Sequence, residues 1–107
     1  MTIEYGRLAA SAPSGTTEAE LYAVPSGVEI VANLVINNIT ASSANFSVAH
    51  TDASGAATAE DWLAKTEPLA GYGRVTIPIT AKNPETVRVQ AGTADVLSFV
   101  LAGMLKT

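Results

Sequence analysis

His50 is the only imidazole in the chain and there is no cysteine, so the search for chemistry starts there. With Asp52 two residues on, His50 suggests a general base or a metal ligand. A Ser-His-Asp arrangement also needs a positioned nucleophile and an oxyanion hole. None of the many serines sits in a nucleophile-elbow pattern such as G-x-S-x-G. A zinc site needs three or four ligands, and here there is no second His and no Cys. His50 therefore reads as a strand-end histidine hydrogen-bonded to a neighbouring backbone group or carboxylate.

The acidic residues offer two further patterns. Asp52-Ala53-Ser54-Gly55 looks like a fragment of a Ca²⁺ loop, but the later acidic positions that complete such a loop are missing. It reads as a turn stabilised by its own side chains. Glu18 and Glu20 would lie about 7 Å apart on one face of a strand, a spacing reminiscent of glycosidase acids. No cleft is apparent around them, and a solvated face is the expectation, as for Glu60 and Asp61. Trp62, Tyr72, Tyr5 and Tyr22 are the candidates for stacking on a sugar. Aromatic residues total only 6%, too few for an obvious platform, and Trp62 reads as a core or interface anchor. The expectation is a non-enzyme that needs no metal and no cofactor.

The elements that carry these residues are strands. Val75, Ile77 and Ile79 alternate with polar neighbours, as do Val87, Val89 and Ala91. Phe46, Val48 and His50 share a face. Pro78 puts its strand at a sheet edge or a bulge. Pro25-Ser26-Gly27 is a turn in which Gly27 takes the positive φ of a tight reversal. Turn signals recur at short intervals and delimit about eight strands, near residues 5–11, 18–24, 28–37, 45–51, 62–66, 73–80, 85–91 and 95–105. This predicts an all-β protein: one domain over 1–107, a single antiparallel β-sandwich of jelly-roll-like form. One helical turn is expected at Thr58–Leu63, with Thr58 as its cap and Asp61 completing a capping box.

Composition narrows the function classes. Charged residues make up 15% of the 107 residues against 48% hydrophobic, which is low for a soluble domain. Such a surface is built from small polar residues or covered by another chain. A net charge of −4 with six scattered basic residues argues against nucleic acid, whose phosphates need a basic face. The longest apolar stretch, Val96–Leu105, is about half a transmembrane span, and the N-terminus has no signal-peptide pattern. Folding in a cytoplasm, with no membrane partner, is the expectation.

The stretch 96–105 is apolar on both faces, with Val96, Val100, Ala102 and Met104 against Leu97, Phe99, Leu101 and Leu105. Four exposed residues of that size would form an adhesive patch. One face therefore belongs either to the core or to a subunit contact. The contact expected here uses Leu97, Phe99, Leu101 and Leu105, with Trp62 and the N-terminal arm from Met1 to Leu8, including Tyr5. Replacing Phe99 and Leu101 by Ser is then expected to abolish assembly and leave a folded or partly folded monomer.

Several segments together resemble short β-sandwich proteins from the virions of tailed bacteriophages. They are L-A-x-S-x-P at Leu8–Pro13, T-T-E-x-x-L-Y-x-V-P-x-G at Thr16–Gly27, the apolar strand that runs into small polar residues over Val31–Ala41, and F-x-V-A-H at Phe46–His50. The likeness covers about the first two-thirds of the chain and rests on turns and strands, so it transfers no catalytic residue. It implies a virion component made in a host bacterial cytoplasm. The expected role is a capsid decoration or cement protein, whose partners are the major capsid protein, copies of itself, or both. A tail, baseplate or head-fibre protein is the alternative, as is a virion-displayed module with weak binding to host glycans.

Overall fold

In the computed structural model, which describes residues 2–107, the two-residue periodicity becomes eight strands. These are β1 (Ile3–Ser11), β2 (Ala19–Ala23), β3 (Glu29–Asn38), β4 (Ala44–Thr51), β5 (Trp62–Leu69), β6 (Arg74–Lys82), β7 (Thr86–Ala91) and β8 (Leu97–Lys106). They form two antiparallel sheets of four, in the orders β1-β8-β3-β6 and β2-β7-β4-β5. Only β4 and β5 are both consecutive in sequence and paired. Every other connection carries the chain from one sheet to the other, which is the double Greek-key order of a jelly roll. The all-β sandwich expected from the alternation is the fold observed.

The core lies between the sheets. Along β3, Ile30, Ala32, Leu34 and Ile36 are buried, while Glu29, Val31 and Asn33 point outward. From the other sheet, Phe46, Val48, Val87, Val89 and Ala91 meet them. Burying each large aliphatic or aromatic side chain stabilises the sandwich by roughly 1.5–3 kcal/mol.

β8 lies between β1 and β3, and its register shows which of its two apolar faces turns inward. Phe99 stands opposite Ile36 and Leu101 opposite Leu34. Residues directly opposite in an antiparallel pair share a face, so Leu97, Phe99 and Leu101 enter the core, each at 0% exposure. This corrects the expectation that they form a subunit contact. The sequence shows two apolar faces on this strand; the neighbouring strand chooses between them. Val100, Ala102 and Met104 are the outward set.

The local signals are realised with two differences. Val28 N–H donates to the Pro25 carbonyl at 3.2 Å, and Gly27 has φ +75°. That turn does not close a hairpin; it passes the chain from β2 in one sheet to β3 in the other. Pro78 lies in β6, the edge strand of its sheet, where its missing N–H costs no ladder bond. Thr58–Asp61 forms a turn and no helix. The Asp61 carboxylate accepts from both the Thr58 N–H (2.8 Å) and hydroxyl (3.0 Å), and the Asp61 N–H donates to the Thr58 carbonyl (3.1 Å). The capping contact forms, but β5 starts at Trp62 and sheet pairing overrides helix propagation.

Asn38, at the end of β3, is buried and fully used. Its Nδ2 donates to the Ser42 and Leu69 carbonyls at 2.7 and 3.2 Å. Its Oδ1 accepts from the Thr40 N–H and hydroxyl at 3.0 and 2.9 Å. One side chain thus shapes the β3–β4 turn and ties it to the end of β5.

Candidate functional site

His50 and Glu18 are held in structural contacts. His50 Nε2 lies 2.9 Å from Glu85 Oε1, and Asp52 is not its partner. Glu85 Oε1 also accepts from the Lys82 N–H at 3.1 Å. Burial would raise the Glu85 pKa; the hydrogen bonds from His50 and the Lys82 amide outweigh it and hold the carboxyl below its ordinary value. The Thr51 and Thr86 hydroxyls are buried and hydrogen-bonded to each other, and Thr51 donates onward to the Ala53 carbonyl at 2.8 Å.

Glu20 is exposed, as expected of a solvated face, whereas Glu18 is half-buried, and both contact the β4–β5 loop. Glu18 Oε2 accepts from the Ala57 N–H at 3.0 Å and from Arg88 Nε of β7 at 2.5 Å. The Ala57 amide, with the Arg88 guanidinium, keeps the Glu18 carboxyl below its usual value against the opposing effect of burial. Glu20 Oε1 accepts from the Ser54 hydroxyl at 3.3 Å. The Asp52–Gly55 turn is thereby tied to β2. Among the described residues no group of three or more His, Cys, Asp or Glu side chains is placed to hold a metal ion, and no helix is long and apolar enough to cross a membrane.

The aromatic candidates separate. Trp62 is half-buried, opposite Ala49 in the second sheet, with Lys65 Nζ 3.8 Å from its ring centroid. The ring face a sugar would use is taken by a cation. Tyr22 is half-buried at the core margin. Tyr72 is 74% exposed at φ +56°, its N–H bonded to the Thr40 carbonyl at 2.8 Å. Tyr5 is 79% exposed on β1.

Of the residues expected at a subunit contact, Leu97, Phe99 and Leu101 are core, as described. Leu105 faces inward opposite Ile30, and Leu8, displaced by a β-bulge between Arg7 and Ala9, packs against the core margin. Both are half-buried. Tyr5 stands on the surface; Met1 lies outside the described residues.

What the structure assembles instead is an apolar patch along β8 and β3 on the outer face of the β1-β8-β3-β6 sheet. One row across the four strands reads Tyr5, Met104, Val31 and Thr80; the next, Arg7, Ala102, Asn33 and Pro78; a third, Ala10, Val100, Val35 and Thr76. Val31 is 51% exposed. Charges lie at its margins, with Arg7 on the edge strand β1, Lys106, Glu29 and Lys82 at one end and Arg74 at the other. The signal was visible in the sequence as the second apolar face of the two-faced stretch and as Val31 and Val35 on the reverse side of β3.

Fold and surface together define a small double Greek-key β-sandwich with an apolar patch on one sheet face. No protein-family model matches the chain, and no curated protein is significantly similar to it.

Proposed function

We propose that this chain is a structural protein of a tailed-phage virion, most readily a decoration or cement protein on the outer capsid surface. The outer face of the β1-β8-β3-β6 sheet carries this reading. Along β8 and β3, Met104, Ala102, Val100, Val31 and Val35 form an apolar patch beside the exposed Tyr5 of β1, with polar residues on β6 and charges at its margins, as expected of a surface that another protein covers. The jelly roll supports it by analogy, since capsid proteins use that architecture. The mechanism is added buried area: a contact of about 800 Å² per partner, repeated over a shell, holds neighbouring capsid subunits together.

The test is quantitative mass spectrometry of purified particles from a lysate of the encoding phage. On the order of hundreds of copies per particle is the expected result for a shell protein. Copies in small multiples of three or six would point to a tail or baseplate part. Absence from particles would overturn the proposal. The exposed Tyr72 makes weak glycan binding the second reading, checked on a glycan array with Tyr72→Ala as the control.

A further inference from the structure

The two sheets have four edge strands, and three of them are blocked. β6 carries Pro78 at its centre. β5 contains Pro68, two register shifts against β4 and Thr66 at φ +52°. β2 is only five residues long and carries a register shift. Prolines, bulges and short length are the usual means of preventing edge-to-edge association. β1 has nine residues and no proline, and Ile3–Arg7 are all exposed before the bulge that follows Arg7.

The hydrogen-bond phase of β1 shows which groups are free. Thr107 N–H donates to the Thr2 carbonyl at 2.9 Å, so Thr2, and by alternation Glu4 and Gly6, direct their backbone polar groups towards β8. Those of Ile3, Tyr5 and Arg7 point away from the sheet. We infer that β1 pairs antiparallel with β1 of a second copy across a two-fold axis at Tyr5, joining the two β1-β8-β3-β6 sheets edge to edge.

The register follows from the bulge. With Tyr5 opposite Tyr5 of the second copy, Ile3 and Arg7 pair reciprocally, and every free N–H and C=O between Ile3 and Arg7 is used. A shift of the axis to Gly6 would bring Ile3 against Ala9, beyond the bulge, and waste its pairing. The occupant is a second copy because this five-residue segment is complementary to itself. The two tyrosine rings meet on the outer face, and Ile3 meets the aliphatic stem of Arg7. Glu4 lies opposite Gly6, so no like charges are opposed. The Tyr5-Met104-Val31 row then becomes continuous across both copies. This inference does not depend on the virion reading.

The test is light scattering of the full chain over a concentration range, combined with a charge swap at Tyr5. The wild type is expected to reach twice its 11.0 kDa mass by about 1 mM. Tyr5→Lys alone and Tyr5→Glu alone should each weaken the dimer at least tenfold, and an equimolar mixture should restore it. In the dimer, hydrogen exchange should slow at the Ile3, Tyr5 and Arg7 amides in a concentration-dependent way, with Glu4 and Gly6 protected at all concentrations. A wild type that stays monomeric overturns the proposal. So does a dimer indifferent to Tyr5→Lys, or a mixture that fails to restore pairing.

Discussion

Gly103 of β8 and Ala32 of β3 stand directly opposite each other, so closely that a Cβ on Gly103 would lie 2.5 Å from the Ala32 Cα and 2.5 Å from the Val31 carbonyl oxygen. The obstructing atoms are backbone. Gly103→Ala therefore has to push β3 and β8 apart, and the expected loss is about 1–3 kcal/mol, or a Tm lower by roughly 4–8 °C for each kcal/mol. Ala32→Gly should not rescue it, because the clash is with main chain. Thermal unfolding of the single and double variants checks both statements.

Phe99 and Leu101 were expected at a subunit contact and are core residues. Phe99→Ser removes a fully buried ring and leaves a hydroxyl among apolar side chains. The truncation alone costs about 3–5 kcal/mol, a large share of a small domain's stability. The double variant with Leu101→Ser should be unfolded by circular dichroism, in place of the folded or partly folded monomer expected of a surface change. Val100→Ser, on the opposite face of the same strand, should change the urea midpoint little.

Asn38→Ala removes both donors and both acceptances of a buried amide at once. The Leu69 carbonyl loses its side-chain partner and the β3–β4 turn loses its template. The expected cost is about 1–3 kcal/mol, measured by urea unfolding, with faster hydrogen exchange at the Thr40 amide.

Glu18 and Glu85 both have folded-state pKa values below the ordinary 4.5. A depressed pKa means that the folded state binds the proton less readily than the unfolded chain. The associated stability is therefore present above about pH 4.5 and is lost as the pH falls through the lower folded values. Both carboxylates are partly exposed, so the effect is moderated by solvent. Thermal melts from pH 7 down to pH 3 should show Tm falling below about pH 4.5, with a shallower fall in Glu18→Gln. An unchanged slope in that variant would show that Glu18 is not among the linked groups.

Lys65→Ala uncovers the Trp62 ring. The cation–π contact at 3.8 Å is worth about 0.5–1 kcal/mol at an exposed site. The clearer readout is tryptophan fluorescence, which should shift to longer wavelength as water reaches the ring.

The strands and their inward residues in β3, β4, β6 and β7 were legible in the sequence, because an alternating strand with one apolar face has one way to sit on a core. The Pro25-Ser26-Gly27 turn and the edge position of Pro78 were legible because φ and the missing N–H are local properties. The contact surface was not. Leu97, Phe99 and Leu101 compete with Val100, Ala102 and Met104 on one strand, and period alone ranks neither set. The partners of His50 and Glu18 were also hidden, since Glu85 and Arg88 lie 35 and 70 positions away.

The sequence by itself determined the period of each strand, the places where the chain must turn and the shortage of surface charge, all consequences of residue type and nearest-neighbour spacing. The tertiary structure alone decided which turn changes sheets, which face of β8 is core, and that β1 lies at an edge with the polar groups of Ile3, Tyr5 and Arg7 turned outward. Those are properties of strand order and register, set by which distant segments bury each other.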